Sequence, residues 1–209
     1  MKTRDRILLT SLQLFNEFGE PNVTTNHIAD EMNISPGNLY YHFRNKEQII
    51  YLLFEQFEGR IGEILEAPRN RTPDMEDMWL YLHLVFEIMW QYRFLYRDLN
   101  NLLSRDRKLY IHFRRIIERK IRTAVDICGG LVETGVMEAS EEELKALATN
   151  VALVTTFWLN FQGTLVRQGA GAEGENIGQG VYQVMSLVVP FLQGDARELL
   201  QRLSQVYLD

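Results

Sequence analysis

From Thr3 the chain repeats apolar residues with a helical period: Leu8, Leu12 and Phe15 form one stripe, with Ile7, Leu14 and Phe18 beside it. Gly19 and the Glu20-Pro21 pair end that helix, because glycine accepts left-handed backbone and proline cannot continue the ladder. Thr24 or Thr25 then offers an N-cap hydroxyl to a short second helix with Ile28, Ala29 and Met32 on its apolar face. Asn33-Ile34-Ser35 interrupts the pattern. Ser35 suits an N-cap and Pro36 the first position of a third helix, in which Leu39 and Phe43 point inward. Gly37, Asn38 and Tyr41 face outward there, with Tyr40 and His42 outward or sideways. Asn45 and Gln48 resemble a capping box that opens a fourth helix, reaching to about Glu66.

Pro68 and Thr72-Pro73 mark a break, after which helices are expected near 74–93, 94–104, 106–135, 141–168 and 176–193, with a short last one from Asp195. Ser140 with Glu143 forms a capping box, and Gly169 to Gly174 reads as a loop. Strand-like alternation is absent from the pattern, so the fold class is all-α. An N-terminal three-helix helix-turn-helix domain (1–48) precedes a helical bundle for ligand binding and dimerisation (49–209).

Composition narrows this picture only slightly. A chain of 209 residues, 46% hydrophobic and 24% charged, can bury a core and is not disordered. The single Cys128 excludes an internal disulfide, and the absence of an apolar signal core or membrane span leads us to expect a cytoplasmic protein with no membrane partner. The net charge of −6 argues against nucleic acid in bulk, and residues 1–50 hold five Lys/Arg against six Asp/Glu. Placement therefore has to decide, since a DNA-binding face needs donors clustered on one surface rather than a positive total.

The second and third helices, with a packing helix before them, have the plan of a DNA-reading helix-turn-helix. The leading edge Ser35-Pro36-Gly37-Asn38 carries no bulky side chain, which suits entry into a major groove. Thr24 and Thr25, Tyr41 and His42, and Lys46 offer phosphate donors, while the Asn38 amide suits an adenine edge. The run Thr24-Thr25-x-x-Ile28-Ala29, then Ile34-Ser35-x-Gly37-x-Leu39-Tyr40-Tyr41-His42-Phe43-x-Asn45-Lys46, resembles the signature of the TetR family of bacterial regulators across about residues 4–54. The resemblance implies that Thr24, Thr25, Asn26, Pro36, Gly37, Asn38, Tyr40, Tyr41, His42 and Lys46 lie at or near DNA; in relatives, the residue at the position of Asn26 is often arginine. A core role for Tyr40 and a surface histidine bonding backbone at His42 stay open.

In the second half, Trp79, His83, Phe86 and Trp90 follow helical spacing, and Phe113, Phe157, Trp158 and Phe161 add aromatic mass. Such stripes usually build a core; in TetR-like regulators this domain also holds an effector pocket, so these eight residues are the candidate lining for a small molecule with a large apolar part. His83 and Glu87 stand four apart, but no second pair completes a metal site, and neither metal nor cofactor is expected. Residues 93–122 carry ten Lys/Arg against three acids, which fits either an anionic effector or a solvated face paired with Glu55, Glu58, Glu63 and Glu66. The helices at 141–168 and 176–193 are apolar on more than one side, which fits a homodimer built through them.

Neither H-E-x-x-H nor paired Glu-x-x-His motifs are present, and Cys128 sits in an apolar setting, so an enzyme is not expected. The reading that follows is a homodimeric repressor on palindromic double-stranded operator DNA, released when an effector tilts the fourth helix. A transcriptional activator, or a helical dimerising adaptor without effector, is the alternative.

Overall fold

The computed structural model describes residues 2–165 and 177–205. Eleven helices are present among them: α1 (Thr3–Phe18), α2 (Thr25–Glu31), α3 (Pro36–His42), α4 (Lys46–Ile64), α5 (Met75–Gln91), α6 (Arg93–Arg97), α7 (Leu99–Arg105), α8 (Arg107–Glu133), α9 (Glu141–Leu165), α10 (Ile177–Val188) and α11 (Gly194–Gln205). The described residues show no β-structure beyond one bridge between Met137 and Leu192. The expected loop at 169–174 lies outside the described residues.

Local chemistry sets most boundaries. Thr24 Oγ1 accepts the His27 N–H (3.1 Å) at the start of α2, and Ser35 Oγ accepts the Asn38 N–H (3.2 Å) ahead of Pro36 in α3. Asn45 Oδ1 accepts the Gln48 N–H, whereas the Gln48 amide reaches back one residue further than expected, to Arg44 N (2.8 Å). Ser140 and Glu143 form the reciprocal pair before α9. Asp74 and Asp77 form a further capping box at α5, held from outside by Arg71.

Two helices depart from expectation. The expected helix at 94–104 is split into α6 and α7 at Asp98, which leaves helical geometry and accepts the Glu20 N–H at 3.0 Å. The one expected to run to 193 ends at Val188, where Pro190, lacking an N–H, confines Val189–Phe191 to a 3₁₀ turn.

α1, α2 and α3 enclose Ile7, Phe15, Ile28, Ala29, Leu39 and Phe43, all buried. The rest forms a bundle in which α8 packs along α9, α10 lies against α9 and α5, and α4 bridges α5 and α8. α4 belongs to both parts: Ile49 and Ile50 sit in its first turns, and Phe54, Phe57 and Ile61 continue the same buried core into the bundle. Close helix packing constrains α10 at Gly180, where an added Cβ would lie 2.5 Å from Phe86 Cε1 and 2.7 Å from Trp158 Cδ1. Overpacking outweighs helix propensity there, so Gly180→Ala lowers stability by about 1–2 kcal/mol. Gly59→Ala in α4, where a Cβ meets nothing within 4 Å, raises it by about 0.5–1 kcal/mol. Denaturant titration of the two variants checks both signs.

Candidate nucleic-acid interface and sensing core

The turn between α2 and α3 is made by Asn33, the one non-glycine residue with positive φ (53°) among the described residues, and asparagine is among the residues that tolerate that region best. It delivers Ser35, Pro36, Gly37 and Asn38 to the surface, all exposed, while Leu39 and Phe43 are fully buried behind them. Gly37 has no internal reason to be glycine, since a Cβ would meet only Ser35 Oγ at 3.9 Å. Its small size instead suits close approach by something outside the chain. On the following turn Tyr41 is 85% exposed and stands edge-on to His42, ring centroids 5.1 Å apart. Tyr40 is half exposed and its hydroxyl pairs with Thr25 Oγ1 at 2.9 Å, tying the start of α2 to α3. Thr24 and Asn26 are exposed beside it.

Lys46 is placed differently from the expectation. Its ammonium points inward and donates to the carbonyls of Glu20 and Val23 (both 2.9 Å). It also lies 2.8 Å from Glu20 Oε1, as a close ion contact rather than an aligned hydrogen bond. The opposite oxygen of that wholly buried carboxylate accepts from Arg105 Nη2 at 2.7 Å. Lys46 therefore joins the first helices to α7 in place of presenting its charge to solvent. The exposed cation nearest the end of α3 is Arg44, which the sequence reading did not single out.

The eight candidate lining residues divide. Phe86, Phe113 and Trp158 are interior. His83 is exposed and stacks on partly buried Trp79, with centroids 5.1 Å apart, and Trp90 carries the Arg93 guanidinium 4.6 Å from its ring. Phe157 and Phe161, 38% and 55% exposed, lie on an outward stripe of α9 with Leu153 and Leu165. That face of α9 points away from the bundle, because the opposite register, Val151, Thr155, Trp158, Leu159 and Gln162, fills it.

Two interior features went unnoticed in the sequence. Phe57 centres an aromatic cluster, 5.7 Å from both Tyr92 and Tyr96 and 6.3 Å from Phe113. Phe54 extends it along α4. Lys120 is 1% exposed, and burial pulls its pKa down to about 7. Its position was readable: Leu109, Phe113, Ile116, Lys120, Ala124, Ile127 and Leu131 recur at helical spacing, and a lysine in such a stripe points inward. The other cations of 93–122 are mostly engaged locally, Arg97 with Asn16 O, Arg114 with Glu118, and Arg119 with Glu66 and the Gly62 carbonyl. Of the four acids expected to balance that stretch, Glu58 pairs with His112 and Glu66 with Arg119.

Comparison with known proteins follows the same division of the chain. Residues 7–51 match the family model described as "Bacterial regulatory proteins, tetR family", and residues 56–200 match the one described as "Bacterial transcriptional repressor". The chain belongs to the TetR family. A crystal structure of a TetR-family transcriptional regulator from Marinobacter aquaeolei VT8 is 43% identical, with a TM-score of 0.88 over 99% of each chain. Among curated relatives, the probable acrEF/envCD operon repressor of Escherichia coli K12 is 39% identical over 76 residues, 35% of this chain and 34% of that protein. The regulator AcrR of Shigella flexneri is 32% identical over 63 residues, 30% of this chain and 29% of that protein. The matched regions thus span about a third of these curated relatives. TetR-family proteins are regulators rather than enzymes, and among the described residues no group of acidic, His or Cys side chains could hold a metal and no helix is long and apolar enough to cross a membrane.

The charges buried inside this TetR-family chain and its exposed reading edge differ in what they contribute to stability. Lys46→Ala leaves the Glu20 carboxylate with Arg105 alone and takes the lysine donor from the Val23 carbonyl, while the Glu20 carbonyl keeps the Val23 N–H, costing about 2–4 kcal/mol. Tyr41→Ala, at an exposed position, changes stability by less than about 0.5 kcal/mol in the same denaturation assay. Lys120 has a folded pKa depressed below its ordinary 10.5, so the unfolded chain holds more protons between about pH 7 and 10.5. The stability of the natural protein relative to Lys120→Met therefore rises with pH across that window, by up to about 1.4 kcal/mol per unit, and is flat below it. Paired melts at pH 6, 7, 8 and 9 read the slope directly.

Proposed function

We propose that this TetR-family protein is a repressor that binds palindromic operator DNA as a homodimer and is released by a small-molecule effector. The observation that carries it is the leading edge of α3, where Ser35 to Asn38 are exposed, slender and free of packing duties. A helix start of this kind lets backbone approach base edges, with Asn38 reading an adenine and Thr24, Thr25, Asn26, Tyr40, Tyr41 and His42 along the phosphates. Lys46 acts from behind, fixing the height of α4 on the Glu20 turn, and Arg44 supplies the nearby exposed charge.

The dimer reading rests on α9. Leu153, Phe157, Phe161 and Leu165 form a stripe about 18 Å long on a surface-facing side, and an apolar patch of that length fits a partner copy. α10 lies beside α9 and adds exposed Gln179, Gln183 and Ser186, a polar rim. Two heads held by such an interface at about 34–36 Å enter successive major grooves. Release fits α4: its aromatic residues pack in the bundle while its first turns pack in the head, so a bundle that rearranges around an effector moves the reading helix.

Gel-shift titration against the DNA upstream of the protein's own gene tests this. Asn38→Ala is expected to lose about 5- to 150-fold affinity at the preferred sequence while leaving weak, salt-sensitive binding to unrelated DNA. Phe161→Glu is expected to shift the protein to monomer on a sizing column and to weaken operator binding in parallel. A natural protein that binds no upstream DNA in low salt, or a Phe161→Glu dimer that is unchanged, counts against the corresponding half of the proposal.

A further inference from the structure

Building on the reading of this chain as an effector-released regulator, we propose that the interior of its C-terminal bundle is a binding site for a small apolar carboxylate. Lys120 Nζ and the Tyr96 hydroxyl hold the carboxylate, and the space between α5, α8, α9 and α10 holds the apolar remainder.

Lys120 lies on the inward stripe of α8, 1% exposed. Its ammonium donates to the Thr155 carbonyl at 2.9 Å and stands 5.3 Å from the centroid of the Tyr96 ring. No ion pair reaches it among the described residues, and burial alone accounts for its lowered pKa. A buried ammonium without a counter-charge is destabilising by several kcal/mol, and a methionine of similar volume would pack there without that cost. Among the described residues the Tyr96 hydroxyl, the Trp158 indole N–H and the Thr156 hydroxyl are buried with no hydrogen-bond partner, and each of them can donate. Thr156 and Trp158 are on α9, within one turn of Thr155. What this environment lacks is an acceptor with negative charge.

The charge it lacks is a single one. One ammonium and neutral donors match a monoanion, whereas a phosphate ester calls for guanidinium forks or several cations, and the nearby arginines are engaged elsewhere. The apolar remainder is set by what adjoins. One helical turn from Lys120, Met78, Tyr81, Leu82, Ile127, Val151 and Val184 line a cavity of about 20 Å³, room for about one water. Tyr81 belongs to both places, since its hydroxyl donates to the Lys120 carbonyl at 3.3 Å. The site is closed as it stands, and filling it parts α5 and α10 from α8 and α9. Tyr96 is also 5.7 Å from Phe57 of α4, so a carboxylate that draws Lys120 and Tyr96 together disturbs the helix that carries the reading head.

Protonation gives this pairing a signature that packing alone does not produce. The other titratable groups around Lys120 are Tyr81 on α5, Tyr96 on α6 and Cys128 on α8; burial pushes all three up, Cys128 to about 11, and neither α9 nor α10 turns a carboxylate toward it. Lys120 is thus the group that changes charge between about pH 7 and 9.5, and binding of a carboxylate there takes up a proton.

Calorimetry on the full chain with sodium octanoate and sodium 3-phenylpropanoate, against 1-octanol, octylamine and sodium octanesulfonate, tests the assignment. At least one carboxylate is expected to bind, with proton uptake at pH 8.5 seen as a dependence on buffer ionisation heat, and with Kd rising about tenfold per pH unit from 7.5 to 9.5. Lys120→Met, folded by circular dichroism, is expected to weaken that carboxylate at least about 30-fold and to abolish the proton uptake. If that variant does not fold, Tyr96→Phe keeps the ring and is expected to weaken binding several-fold through loss of the hydroxyl. No binding by either carboxylate, a pH-independent Kd, equal binding by folded Lys120→Met, or tighter binding of octylamine or octanesulfonate overturns the inference. Gel shifts without any of these compounds keep the two readings separate: Lys120-dependent octanoate binding by a chain that ignores DNA sinks the repressor reading alone, and operator binding by a chain indifferent to both carboxylates sinks this inference alone.

Discussion

The position of the reading helices depends on a buried polar seam where the end of α1 meets the start of the bundle. Asn16 donates to the Gln91 carbonyl at 2.9 Å and accepts from the Phe94 N–H at 3.1 Å, so one amide side chain fixes the junction of α5 and α6. Glu20, four residues on, accepts from Arg105 through its carboxylate, donates to Asp98 through its N–H and offers its carbonyl to Lys46. Asn16 and Glu20 are buried, and a buried polar group without its partner costs about 1–3 kcal/mol, more when it is charged. The seam therefore holds one docking geometry over alternatives that an apolar contact alone, such as Phe15 on Phe94, would leave closer in energy.

That arrangement also explains how one apolar core serves two tasks. The core runs without interruption from Ile7 to Leu200, and α4 threads it with head residues at one end and the Phe54–Phe57 pair at the other. Packed interiors deform by switching between arrangements rather than by gradual yielding. A change among Tyr92, Tyr96 and Phe113 therefore reaches α4 through ring contacts of 5.7–6.3 Å, and reaches α1 through the seam that begins two residues from Tyr92 at Phe94. In the proposed mechanism both routes end at α3. His112 and Arg119 of α8 tie α4 at Glu58 and Gly62 and the chain just beyond it at Glu66, which limits how far its second half can move.

Much of the site was legible because its signals are local. Thr24, Ser35 and Asn45 cap the helices they precede, Pro36 takes the first position of α3, and the exposed, narrow edge from Ser35 to Asn38 follows from Leu39 and Phe43 facing inward. The role of Lys46 was not legible, because its partners are carbonyls and a carboxylate more than twenty residues away, and a lysine in the first turn of a helix is equally suited to solvent, to phosphate or to such partners. The aromatic residues of the bundle were likewise ambiguous. Phe157 and Trp158 are neighbours in sequence, yet one faces out and the other in, and helical spacing alone cannot say which stripe of an all-round apolar helix meets the core.

What the sequence determined by itself was therefore most of the helices, the caps at Thr24, Ser35 and Asn45 and the character of the reading edge, since these depend on interactions within about four residues. The tertiary structure decided the break of α6 from α7 at Asp98, the inward turn of Lys46 and the counter-charge-free burial of Lys120. Each of these is fixed by groups brought together from distant segments, and the energy of a buried charge depends on that assembled environment rather than on its neighbours along the chain.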